Sequence, residues 1–189
     1  MITEYFDLPI LDWIRDHLQS PLLDGIMPAI THLGDAGGIW ILASIALLIF
    51  PKYRKAGLTM AVSLLLGLLV CNLTLKPLVA RMRPFDYQLL HFGKAIPLLI
   101  PKPTDFSFPS GHTNASFAAA VALLLWHRKE GVFAMILAAL IAFSRLYLYV
   151  HYPTDVLFSI LLGTTVAVLA KYLVTKGDTF YTNKKHTNR

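Results

Sequence analysis

The chain has 189 residues, of which 56% are hydrophobic and only 15% charged, with a formal net charge of +6. That balance is far from soluble usage and indicates one compact membrane-embedded unit. It excludes a soluble helical bundle, whose helices would carry a polar stripe. Nucleic-acid binding is excluded too, because the basic residues are scattered over loops instead of forming one patch.

The opening stretch, MITEYFDLPILDWIRDHL, mixes acids with apolar residues and so does not match a cleavable signal sequence. Its Phe6, Leu8, Ile10, Leu11, Trp13 and Ile14 alternate with acids and Arg15, which predicts a short amphipathic helix lying on the membrane surface. Residues 22–33 are apolar enough to enter the bilayer, but Asp24, Pro28 and His32 favour an interfacial segment over a sixth span. Five apolar runs follow, at 36–50, 57–75, 112–126, 131–150 and 155–174. Several approach the ~20 residues needed to cross a bilayer, while the first and third are short and require thinned lipid or borrowed flanks. The single cysteine, Cys71, lies inside the second run and reads as packing, which leaves no disulfide or cysteine metal site. The expected fold class is all-α: a polytopic transmembrane bundle of five to six membrane helices plus an N-terminal amphipathic helix. Residues 1–175 form the membrane domain and 176–189 a basic tail.

Short cytoplasmic loops collect Lys and Arg. Lys52, Arg54 and Lys55 occupy one link, Arg128 and Lys129 another, and Lys171, Lys176, Lys184, Lys185 and Arg189 the C-terminal tail, so these three are assigned to the cytosol. Residues 1–35, the connection 76–111 and the turn near 151 then face outward. The connection disagrees with the rule, since it holds Lys76, Arg81, Arg83, Lys94 and Lys102. The conflict eases if some of these charges meet an anion.

The polar exceptions to the apolar pattern converge at those outer helix ends. Arg145 lies a turn or two inside the fourth run, where an arginine is costly unless it faces a cavity or a partner. With Lys76 and Arg83 it supplies three cations near one depth, suited to a phosphate group. Ser110, Gly111 and His112 open the third run, where free N–H groups at a helix N-terminus favour an anion and glycine permits close approach. His151 precedes Pro153, which suits a first helical turn, and Asp155 follows. An Asp accepting the Nδ1 proton of His151 leaves Nε2 as a nucleophile, and His112 is placed to protonate the leaving group. His17, His32, His91, His127 and His186 receive no role.

Three motifs carry a resemblance: Lys76 with Arg83-Pro84, then Pro109 to His112, then Ser144-Arg145 with His151 and Asp155. In order and spacing they resemble the signature of the type 2 phosphatidic acid phosphatase superfamily. The resemblance implies a helical membrane enzyme that removes phosphate from a lipid phosphate ester or pyrophosphate through a phosphohistidine, with neither metal nor cofactor. It casts His151 as nucleophile, Asp155 as its orienting partner and His112 as acid. Lys76, Arg83, Ser110, Gly111 and Arg145 become phosphate ligands. Small bacterial members act on undecaprenyl pyrophosphate, phosphatidylglycerol phosphate or phosphatidic acid, and an outward-facing site ranks the first of these highest. Within the connection 85–108, Leu89, Leu90, Phe92 and residues 96–100 are expected to rest on lipid while Lys94 or Lys102 meets a second phosphate. The partners are thus the bilayer and a lipid phosphate; the sequence leaves oligomeric state open. A lipid phosphotransferase using the same site, or a transporter or scramblase lined by these residues, remain the alternatives.

Overall fold

The computed structural model describes the backbone of residues 2–187 and the side chains of residues 2–178. Among these residues the regular structure is all helical, with no strand. Helix α1 (Leu8–Leu18) follows a π-helical turn and buries Leu8, Leu11 and Ile14, one stripe at a spacing of three. The stripe packs on Tyr147, Leu148 and Tyr149, leaving Trp13 exposed on the other face. The expected surface helix is amphipathic, but its apolar side docks on protein.

Helix α2 (Pro21–Leu33) starts with proline at its first position behind Ser20, whose hydroxyl accepts the N–H of Leu23. It packs along α8 with Met27 and Thr31 buried. Asp24, which argued for an interface, instead accepts the Tyr147 hydroxyl at 2.6 Å. At Gly34 the chain bends by 43° into a helical segment that opens with a 3-10 turn, Asp35–Gly37, and continues as α3 (Gly38–Ile49). Helix α4 (Arg54–Gly67) continues through a π-helical stretch, Leu68–Leu75, into α5 (Lys76–Val79). The short α6 (Pro84–Phe92) and an irregular connection lead to α7 (Gly111–Leu124), α8 (Arg128–Tyr147) and α9 (Pro153–Thr187). Helix α9 runs straight through residue 176, where a tail was expected to begin. The side chains of Lys184, Lys185, His186 and Arg189 lie outside those described.

Helix α7 forms the axis, touched by α3, α4, α8 and α9. Its Ala118, Ala119, Ala120 and Ala122 have no exposure, and such small residues let helix backbones approach closely. Two hydrogen bonds pin neighbours to it: Trp40 Nε1 donates to Ser116 Oγ at 2.9 Å, and Ser63 Oγ to the Ala118 carbonyl at 3.2 Å. The outer faces carry large exposed apolar residues instead, among them Leu42, Phe133 and Leu161. A small-residue interior under an apolar exterior is the pattern of a bundle solvated by lipid.

By length and apolarity three described segments suffice to cross a membrane: Pro51–Phe92, Arg128–Tyr147 and Pro153–Asp178. The bent α2–α3 pair makes a fourth if it counts as one broken span. Helix α7, at 14 residues, rises only ~21 Å, short of the ~30 Å hydrocarbon core. Its neighbours cover most of that length, so the five-to-six count does not follow from helix length. The three basic links meet at one end of the bundle: Lys55 bonds Asp178 at 2.6 Å, and the Tyr53 hydroxyl donates to Glu130 at 3.0 Å.

Candidate active site

At the opposite end, the C-terminal ends of α5 and α8 meet the N-terminal ends of α7 and α9. This antiparallel arrangement brings together motifs that are far apart in sequence. His112, Lys76, Arg83, Gly111, Arg145 and His151 all line one cavity of about 890 Å³.

His151 sits in the turn between α8 and α9 and is 1% exposed. Its Nε2 lies 3.4 Å from Arg83 Nη1, and its Nδ1 lies 3.5 Å from Asp155 Oδ2. Since a guanidinium only donates, the proton belongs on Nδ1 and the lone pair on Nε2. The Nδ1–Asp155 contact is too long and oblique for a hydrogen bond, and Nδ1 is otherwise unpartnered. Burial, then the charges of Arg83, Arg145 and Lys76, push the His151 imidazole well below its ordinary pKa and keep it neutral.

Asp155 is fixed more firmly than a bare pair would allow. One oxygen takes Arg81 Nη1 at 2.5 Å; the other takes the Ser107 hydroxyl at 2.5 Å and the Tyr152 N–H at 3.0 Å. Arg81 also grips Asp7 at 2.7 Å, and Asp7 accepts the N–H and hydroxyl of Thr154. The N-terminal segment is thereby tied to the first turn of α9. Sequence reasoning counted Arg81 only as a loop charge and gave Asp7 nothing.

The cations are arranged around a residue that sequence reasoning also missed. Asp105 takes Lys76 Nζ at 2.5 Å on one oxygen and Arg83 Nη2 at 2.6 Å on the other. Burial would raise its pKa, but the Lys76 hydrogen bond and the Arg83 charge outweigh this and hold the carboxyl well below the usual range. Arg83 further donates to the backbone carbonyls of Asp105 and Val150, which orients it toward His151. Arg145 bonds Thr31 at 2.6 Å while its Nε is buried without a partner, a donor available for a ligand oxygen. Such an orphan is costly in an empty site and useful in a filled one.

Ser110 stands behind the cavity wall. Its hydroxyl caps α7 at the Thr113 N–H, and its own N–H goes to Ser159 Oγ, so Gly111 presents the helix end to the cavity instead. Lys94 and Lys102, expected near a second phosphate, pair with Asp12 and Asp86 and do not line the cavity. Leu89, Leu90 and Phe92 are exposed, whereas Ile96, Leu98 and Ile100, expected on lipid with them, pack partly buried against the core around Tyr147 to Val150. Beyond the charged end, the cavity continues between α3 and α4 over Ile41, Ile45, Leu48, Leu64, Leu65 and Leu68.

The family model of the PAP2 superfamily matches residues 56–178, which contain all three motifs. The chain belongs to this superfamily. It is 35% identical over 160 residues to an undecaprenyl-diphosphatase of Sulfolobus acidocaldarius, covering 84% of this chain and 74% of that protein. It is 34% identical over 155 residues to an undecaprenyl-diphosphatase of Bacillus subtilis, covering 80% and 75%. The crystal structure of a transmembrane PAP2 type phosphatidylglycerolphosphate phosphatase from Bacillus subtilis matches at a TM-score of 0.69 and 28% identity, covering 89% of this chain and 84% of that one.

Proposed function

We propose that this chain is a membrane lipid phosphatase that hydrolyses a prenyl diphosphate, undecaprenyl pyrophosphate before phosphatidylglycerol phosphate or phosphatidic acid. One observation carries the reading: a single cavity has a cationic, histidine-bearing end and an apolar body, matching a phosphate on a long hydrocarbon. In this mechanism His151 Nε2 attacks phosphorus while Lys76, Arg83 and Arg145 hold the oxygens and His112 protonates the leaving oxygen. Water then splits the phosphohistidine, with His112 taking its proton. Asp155, locked by Arg81 and Ser107, holds the histidine's Nδ1 side as positive charge develops there. Asp105 must release Lys76 and Arg83 for a phosphate to take both, and its side chain is half exposed, on an irregular connection that can yield.

The site is assigned to the extracytoplasmic face, because the basic links gather at the other end. The bundle is read as five membrane passes over one domain, 1–175, with α7 sheathed by its neighbours. The test is phosphate release by the purified protein in detergent, with and without EDTA, for a panel of lipid phosphates compared by kcat/KM. Activity should persist in EDTA, be highest with the prenyl diphosphate and vanish in His151→Ala. Chromatography with an added lipid acceptor separates hydrolysis from transfer, since a transferase would release little free phosphate.

A further inference from the structure

The stretch His32-Leu-Gly-Asp-Ala-Gly-Gly38 breaks an otherwise apolar pair of helices and matches none of the three motifs. The break is strained. Ala36 has φ 50° and Gly37 φ 69°, two successive left-handed residues, and for alanine that conformation costs about 1 kcal/mol or more. What the turn does is present Asp35 to His112: Oδ1 lies 2.9 Å from His112 Nε2, and Oδ2 lies 2.8 Å from His32 Nδ1.

Gly34 shows that the ring is fitted to this backbone. A Cβ there would stand 2.9 Å from His112 Cδ2 and 3.1 Å from Ile141 Cγ2, so a hydrogen alone lets the imidazole lie against the end of α2. Lys76, Arg145 and His151 share the cavity with His112, and Asp35 is the one carboxylate bonded to it among the described residues. The carboxylate is half exposed, so the pair adds little to stability. Strained backbone, a missing side chain and a carboxylate divided between two imidazoles all meet at this one ring.

We infer that Asp35 is the positioning residue for the general acid, holding Nε2 of His112 so that Nδ1 faces the leaving oxygen. The inference rests on reading His112 as the proton donor. As the phosphorus–oxygen bond breaks, its electron pair stays on the leaving oxygen, which takes the proton from Nδ1. The imidazolium charge is thereby lost, and Nε2–H remains donated to Asp35. In the second step, Nδ1 takes a proton from water as the water oxygen bonds phosphorus and His151 departs with its electron pair. His32 occupies the other Asp35 oxygen and stops the carboxylate from turning away.

The experiment compares a single-chain alkyl phosphate, whose alkoxide needs a proton to leave, with p-nitrophenyl phosphate, whose phenolate does not. Full-length protein, Asp35→Asn, Asp35→Glu and His112→Gln are assayed in detergent. In Asp35→Asn the ratio of alkyl-ester to nitrophenyl-ester kcat should fall about tenfold, and Asp35→Glu should restore much of it. His112→Gln should lower the same ratio further. An unchanged ratio in Asp35→Asn, with the ratio lowered in His112→Gln, overturns the inference and spares the acid. An unchanged ratio in His112→Gln removes the acid, and the inference with it.

Discussion

Arg81 lies between two carboxylates without solvent exposure, Asp7 and Asp155, at 2.7 and 2.5 Å. Removing one partner of a buried ion pair typically costs about 3–5 kcal/mol, because the remaining charge is left without compensation. Arg81→Ala should therefore lower the melting temperature in detergent and reduce turnover, since Asp155 loses its anchor. Asp105→Asn should act in the opposite sense on anions: freeing Lys76 and Arg83 of a competing charge should tighten inhibition by inorganic phosphate about tenfold, read as Ki. His151 makes stability depend on pH. Its folded pKa is depressed, so below about 6.5 the unfolded chain binds a proton that the folded chain refuses, and stability falls as pH drops. Melting temperatures between about pH 8 and pH 5 should show this loss in the parent protein and a flatter profile in His151→Gln. Arg145 was legible in the sequence because an arginine in an apolar run demands a reason. Asp35, Asp105 and Asp7 sit in polar or mixed segments where an acid is unremarkable, and only the fold shows what they touch.

The elements that build the site depend on close approach. Gly163 of α9 faces α7 so tightly that an added Cβ would lie 2.7 Å from the Asn114 carbonyl and 2.9 Å from the Ala118 N–H. Gly163→Ala should push the two helices apart and destabilise the bundle by about 1–3 kcal/mol, seen as a lower melting temperature. The helix-forming runs were plain in the sequence, since uninterrupted apolar residues define them. The docking of α1 and α2 was not. Their polar residues suggest a water-facing surface, yet Asp24 of α2 bonds Tyr147, and Asp7, just ahead of α1, bonds Thr154, each satisfied by protein. Short apolar length was likewise read as a difficulty for the run at 112–126, where the structure gives α7 a sheath of helices in place of lipid.

At the scale of the whole molecule, helix polarity does the assembling. Two helix C-terminal ends and two N-terminal ends converge, so residues as distant as Lys76 and His151 line one cavity whose apolar arm runs between α3 and α4. Phosphate chemistry at one end and hydrocarbon along the body follow from the same arrangement. Rapid quenching of the full-length protein with lipid substrate labelled at the terminal phosphate, followed by mass spectrometry of the labelled peptide under alkaline conditions, tests it most directly. An acid-labile phosphoryl group on His151 in the parent protein, absent in His151→Ala, is the expected result. Label on another residue, or full turnover in His151→Ala, would contradict it.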